Sequence, residues 1–100
     1  MIIGAIEKQP TETDICGVEF KDRLGVGETL SVPTVTAKNA ATGADSTAVV
    51  LSGAPTISGT QVLQRYIAGT SEDRHVVQFR VTTSAGNSKE DEISLSIREY

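Results

Sequence analysis

Apolar and polar side chains alternate two by two along much of this chain, and no helical period competes with that rhythm. After Asp14, the residues Cys16, Val18 and Phe20 share one phase, which predicts a strand over 14–20. Lys21-Asp22-Arg23-Leu24 reads as a single turn, and Gly25-Val26-Gly27 supplies backbone freedom for a change of direction before Glu28. The next apolar positions are Leu30 and Val32, then Val35 and Ala37, so the phase slips by one at Pro33. Proline cannot donate to a ladder, and the slip predicts a bulge or an edge strand. Residues 39–46 are small and polar and predict an exposed loop tip without chemistry. Residues 47–51 predict a short strand closed by Ser52-Gly53-Ala54-Pro55, and 56–59 a further short strand or extended connection. Over 61–67, Val62 and Tyr66 lie on one side and Leu63 and Ile67 on the other, before a turn at Gly69-Thr70-Ser71-Glu72-Asp73. His75, Val77, Phe79 and Val81 alternate with Val76, Gln78, Arg80 and Thr82, a half-buried strand. A hairpin at Ala85-Gly86-Asn87-Ser88 leads to the cleanest strand, with Ile93, Leu95 and Ile97 set against Ser94, Ser96 and Arg98. About seven short strands at regular spacing predict an all-β sandwich or small barrel.

Composition agrees with that pattern. The apolar share rests on 10 Val, 8 Ile and 9 Ala with no Trp, surrounded by 12 Thr, 9 Ser and 9 Gly. One hundred residues suit a single domain, expected to span 1–100, whose folded state buries about 64% of the unfolded surface. The single Cys16 forms no internal disulfide, so packing must carry stability and the compartment is left open, with a lean to a reducing cytoplasm. A net charge of −4 without a Lys/Arg cluster argues against nucleic acid as a ligand. The opening Met1-Ile2-Ile3-Gly4-Ala5-Ile6 is apolar but broken at Glu7 and Lys8, too short for a membrane span or a signal segment. Two readings of residues 1–10 stand side by side. They form an interaction arm carried by Ile2, Ile3 and Ile6, or they form the first strand of the domain's own sheet.

Candidate chemistry is sparse. His75 is the one imidazole, and a metal site or general base needs partners that only Cys16 could supply, so a core or corner histidine is the expectation. Glu90-Asp91-Glu92 and Glu72-Asp73 lack the alternating oxygen spacing of a calcium loop and read as solvated turn charges. Gly25-Val26-Gly27 has no helix after it to present amides to a phosphate and reads as a turn. No catalytic residue, metal ligand, cofactor or small-molecule substrate is expected.

Residues 67–87 resemble the penultimate hairpin of immunoglobulin-like bacterial and phage domains, with His75 where a corner Tyr usually sits. The wider chain resembles a family of small phage structural proteins, the fibre-tail adaptors, in five ordered elements. Lys8, Pro10 and Glu12 come first, and a strand from Asp14 to Phe20 follows. Arg23, Leu24, Gly27, Glu28, Thr29 and Leu30 make the third. Gly69 and Thr70 with Thr82, Thr83 and Gly86 make the fourth, and the apolar strand Ile93, Leu95 and Ile97 the last. Ile15 replaces the usual aromatic after the first Asp, and the loop at 39–46 is longer than the pattern expects. The resemblance implies a single immunoglobulin-like β-sandwich of about seven strands, with Phe20, Leu24, Gly27, Gly69, His75, Phe79 and Gly86 as its structural motif. It further implies a non-enzymatic virion protein whose partners are tail, fibre or head–tail connector proteins, with self-association on the particle and assembly in the host cytoplasm. A carbohydrate- or surface-binding module is the alternative and would need an exposed aromatic platform, for which only Tyr66 and Tyr100 are available. A small enzyme would need a second group poised beside His75.

Overall fold

A computed structural model describes the backbone of residues 2–98 and the side chains from Gly4 to Arg98. Seven strands form two packed sheets. One has the order β1 (Ile2–Lys8), β7 (Ser88–Ile97), β6 (Arg74–Thr83), β3 (Leu30–Asn39), and the other the order β2 (Asp14–Glu19), β5 (Gln61–Tyr66), β4 (Leu51–Ser58). The second to seventh strands are divided between the sheets as in an immunoglobulin-like sandwich, while the first runs parallel to the last. The expected alternation is visible in the burial. Cys16 and Val18 from β2 and Phe20 just after it meet Val77, Phe79 and Val81 from β6 and Ile93, Leu95 and Ile97 from β7 in one apolar core.

The phase slip at Pro33 is a bulge on an edge strand: the register with β6 shifts between Ser31 and Thr34, and Val32 takes φ 47 and stands 70% exposed. A β-branched residue rarely tolerates that conformation, so the bulge is held by the ladder on both sides of it. Lys21–Arg23 forms the expected turn, as a short 3-10 segment.

Three expectations are corrected. Residues 47–51 are not a strand: Thr47–Val50 is one α-helical turn (α1), and Leu51 opens β4. The Ser46 carbonyl accepts the N–H groups of Val49 and Val50 at 2.9 and 3.0 Å, and Asp45 Oδ1 accepts that of Thr47 at 3.0 Å. This turn buries Val50 completely, and a short apolar run reads the same from sequence whether it is strand or buried helix. Ser52-Gly53-Ala54-Pro55 does not close a strand either. β4 continues through it as a bulge, with the register to β5 shifting between Ser52 and Thr56. Gln64 Nε2 reaches from the adjacent strand to the Ser52 and Gly53 carbonyls at 3.0 and 3.1 Å, satisfying acceptors that the shifted ladder leaves open. Finally, Glu90-Asp91-Glu92 is not a solvated turn but part of β7, and Asp91 is buried.

Candidate interaction surfaces

The family-like motifs gather at the two ends of the sandwich. At one end Lys8, only 1% exposed, directs its ammonium to the carbonyls of Gln9 (2.7 Å), Pro10 (3.3 Å) and Ala68. Glu12 Oε1 accepts the Gln9 N–H at 2.6 Å, so Lys8, Pro10 and Glu12 tie the end of β1 to the β5–β6 connection. Burial pulls the Lys8 pKa below its ordinary value, and the Glu12 charge partly opposes that. Gly69 stands beside Ala68 with φ 101, and a side-chain carbon there would run into Ile97 Cδ1. Only glycine fits.

At the other end Arg23 forms an ion pair with Asp91, donates to the Glu90 carbonyl at 3.2 Å and lies 5.7 Å from the Phe20 ring centre. Leu24 packs half-buried against the core. Glu28 Oε1 accepts the Gly25 N–H at 2.7 Å. Hydrogen bonding to Thr83 leads the influences that hold the Glu28 carboxyl below its ordinary pKa. Thr29 and Ser84 exchange two hydrogen bonds, and the Gly86 N–H reaches the Thr83 carbonyl at 2.9 Å. The turn carrying Gly27 and the hairpin carrying Gly86 are thereby joined. Phe20 and Phe79 fill the core between the two ends, each fully buried.

His75 sits near the start of β6, facing the core, and its Nδ1 lies 2.8 Å from Ser46 Oγ. The exposed-loop expectation for 39–46 therefore fails at its last residue, because Ser46 is buried. A serine within reach of an imidazole is the geometry of an activated nucleophile. Both side chains are sealed from solvent, at 6% and 3% exposure, and His75 Nε2 is buried with no hydrogen-bond partner. Burial lowers the His75 pKa, against a smaller raising influence from Asp73. A neutral imidazole that packs is what this environment favours. Cys16 is also inert as a nucleophile: burial raises its thiol pKa to about 11. Among the described residues, no group of three or more His, Cys, Asp and Glu is placed to hold a metal ion.

Two outer faces remain for contact. On the β1-β7-β6-β3 sheet a polar cleft of ≈ 280 Å³ lies over Thr36, Lys38, Val76 and Gln78, bordered by Gly43 and Asp45. On the other sheet Ile15, 52% exposed, and Leu63 flank a second cleft with Arg65 and Ala54. Leu63 lies across Gly17, where a side-chain carbon would come within 2.6 Å of Leu63 Cδ2.

The edges differ more than the faces. β3 is bulged at Val32 and Pro33, and near its other end Thr47 Oγ1 accepts the Ala37 N–H while the Ala44 carbonyl accepts that of Asn39. β4 is bulged around Gly53 to Pro55, and in β2 the Ile15 N–H bonds to the Asp14 side chain. β1 is the apolar edge, pairing from Ile2 with Glu92 to Lys8 with Ile97, with a register shift between Ile2 and Gly4 and a continuous ladder from Gly4 to Lys8. Of the expected arm residues, Ile6 packs half-buried against the core, and the side chains of Ile2 and Ile3 lie outside the described residues. Bulges, prolines and competing side chains are the devices that blunt edges against pairing.

Sequence reasoning overlooked Ser46, Gln64 and Asp91. For the last two a signal existed: Gln64 shares the phase of Val62 and Tyr66, and Asp91 that of Ile93, Leu95 and Ile97. Both are inward positions occupied by polar groups, and both are paired. Ser46 left no comparable mark.

No curated protein matches the chain. Residues 8–96, from the buried lysine through nearly all of β7, match the model of the podophage GP4 fiber-tail adaptor protein gp77, and the chain belongs to that family.

Proposed function

We propose that this protein is a non-enzymatic part of the virion that joins tail or head–tail components to fibres or to neighbouring subunits. Membership of a fibre-tail adaptor family over residues 8–96 carries that reading. A stiff sandwich whose motif residues lock both ends holds its faces and edges at fixed spacing, and repetition on a symmetric particle turns modest contacts into firm attachment. The β1 edge is the proposed contact, because main-chain pairing supplies affinity there and alternate apolar side chains supply selectivity. The chain assembles onto the particle in the host cytoplasm. A carbohydrate-binding module would display aromatic rings; Tyr66 is 9% exposed and Phe20 and Phe79 are buried, and Tyr100 lies outside the described residues. The Ser46–His75 pair offers no substrate a path to either group.

Loss of the gene tests this. Particles assembled without the protein are expected to carry tails without fibres by negative-stain electron microscopy, and purified protein added back restores fibre attachment. Fully fibred tails in its absence would refute the role.

A further inference from the structure

From the edge geometry we infer that β1 is an exchangeable strand, and that copies of this protein join by placing residues 2–7 of one against β7 of the next. The inference rests on the reading that copies gather side by side on a particle.

Within the first strand, Gly4, Ala5 and Glu7 are exposed and Ile6 is half-buried, whereas the buried apolar core of the described residues runs from Cys16 to Ile97. Detaching residues 2–7 therefore uncovers one side of β7 and, among the described side chains, withdraws only half-buried Ile6 from the core's margin. The partner best fitted to that uncovered edge is the segment it already pairs with, in the same register, supplied by a second copy. Lys8 sets the limit of the movement. Its ammonium is held by the carbonyls of Gln9, Pro10 and Ala68, so the chain is pinned there and the six residues ahead of it can swing. Six extended residues span roughly 20 Å, all of it taken up in pairing, so the neighbour's β7 must pass directly beside the pinned Lys8. β1 has its own register shift, between Ile2 and Gly4, and then pairs with β7 without interruption from Gly4 to Lys8, whereas the other three edges carry mid-strand bulges, proline or a side chain bonded to an edge amide.

Ala5 and Ser94 are register partners, which gives a direct test. In a Cys16→Ser background, one protein carries Ala5→Cys and another Ser94→Cys. Mixed at high concentration and mildly oxidised, they are expected to give a covalent heterodimer in clear excess over either protein alone. The same chain carrying both substitutions is expected to form linked dimers as its concentration rises. An internal bond only in that double variant, with no heterodimer in the mixture, would overturn exchange. So would Ala5→Cys dimerising solely with itself, since copies would then meet edge to edge. Sedimentation of the unsubstituted chain guards against a folding defect in the variants: a dimer fraction growing with concentration supports exchange, and a monomer throughout counts against it. Failure here with the protein present on particles would remove exchange and leave the adaptor role. Heterodimers from a protein absent from particles would do the reverse.

Discussion

Replacing Lys8 by Met removes the ammonium and keeps most of the stem, so it isolates what the charge does at the foot of β1. Lys8 is buried and donates to three backbone carbonyls, and hydrogen bonds from a charged donor each contribute about 1.5–3 kcal/mol. Against this stands the cost of desolvating an ammonium, several kcal/mol, which cancels much of the sum. What the substitution leaves behind decides the sign. Ala68 is exposed and Gln9 and Pro10 are half-buried, so all three carbonyls recover water, and what is lost is the tie between the foot of β1 and a segment 60 residues away. The lost tie to Ala68 and a loosened β1–β2 connection give a loss of about 1–2 kcal/mol. In a domain of this size that lowers Tm by roughly 5–15 °C. Urea unfolding monitored by circular dichroism reads it as a lower midpoint at unchanged slope. Lys38→Met, at an exposed lysine, is the control and is expected to stay within about 0.5 kcal/mol of the parent. A Lys8→Met protein as stable as that control, or more stable, would refute the carbonyl anchor.

Three further outcomes follow from the same contacts. Gly69→Ala combines a left-handed backbone with a collision against Ile97, and thermal unfolding is expected to show a loss of more than about 2 kcal/mol; Gly43→Ala, at φ 75 in open space, costs less. His75, buried with a lowered pKa, binds its proton more readily in the unfolded chain, whose imidazole titrates near 6.5. Stability is therefore expected to fall as pH drops from about 7.5 to about 5.5, with a slope of up to about 1.4 kcal/mol per unit from this group. His75→Phe should flatten that part of the urea-midpoint profile, and an unchanged slope would show that another group sets it. The Cys16 thiol, with its pKa of about 11, is expected to resist a disulfide reagent in native buffer and to react at once in urea; fast native labelling would contradict its burial.

Strand positions were legible wherever one face is apolar and the other wet. The phases of Cys16, Val18 and Phe20, of His75 to Val81 and of Ile93 to Ile97 each point at the core they build. Proline in a slipped phase announced the β3 bulge. Reading failed where apolar content had no alternation to show, as at Thr47–Val50, whose helical turn depends on the Asp45 side chain and a docking site on β3. It failed again where a charge sits inward. Asp91 has the period of a core residue, and only Arg23, 68 positions earlier, makes its burial tolerable. The His75 partner was hidden for the same reason: Ser46 reaches it through a long connection that no local pattern encodes. The family resemblance read from the ordered motifs agrees with the family match over residues 8–96.

A protein built into the particle is present on it in fixed number. Quantitative peptide mass spectrometry on density-gradient-purified particles measures that directly. This chain is expected at a constant multiple relative to the tail proteins across independent preparations. Its absence from particles, with the chain abundant in the soluble lysate, would contradict the account.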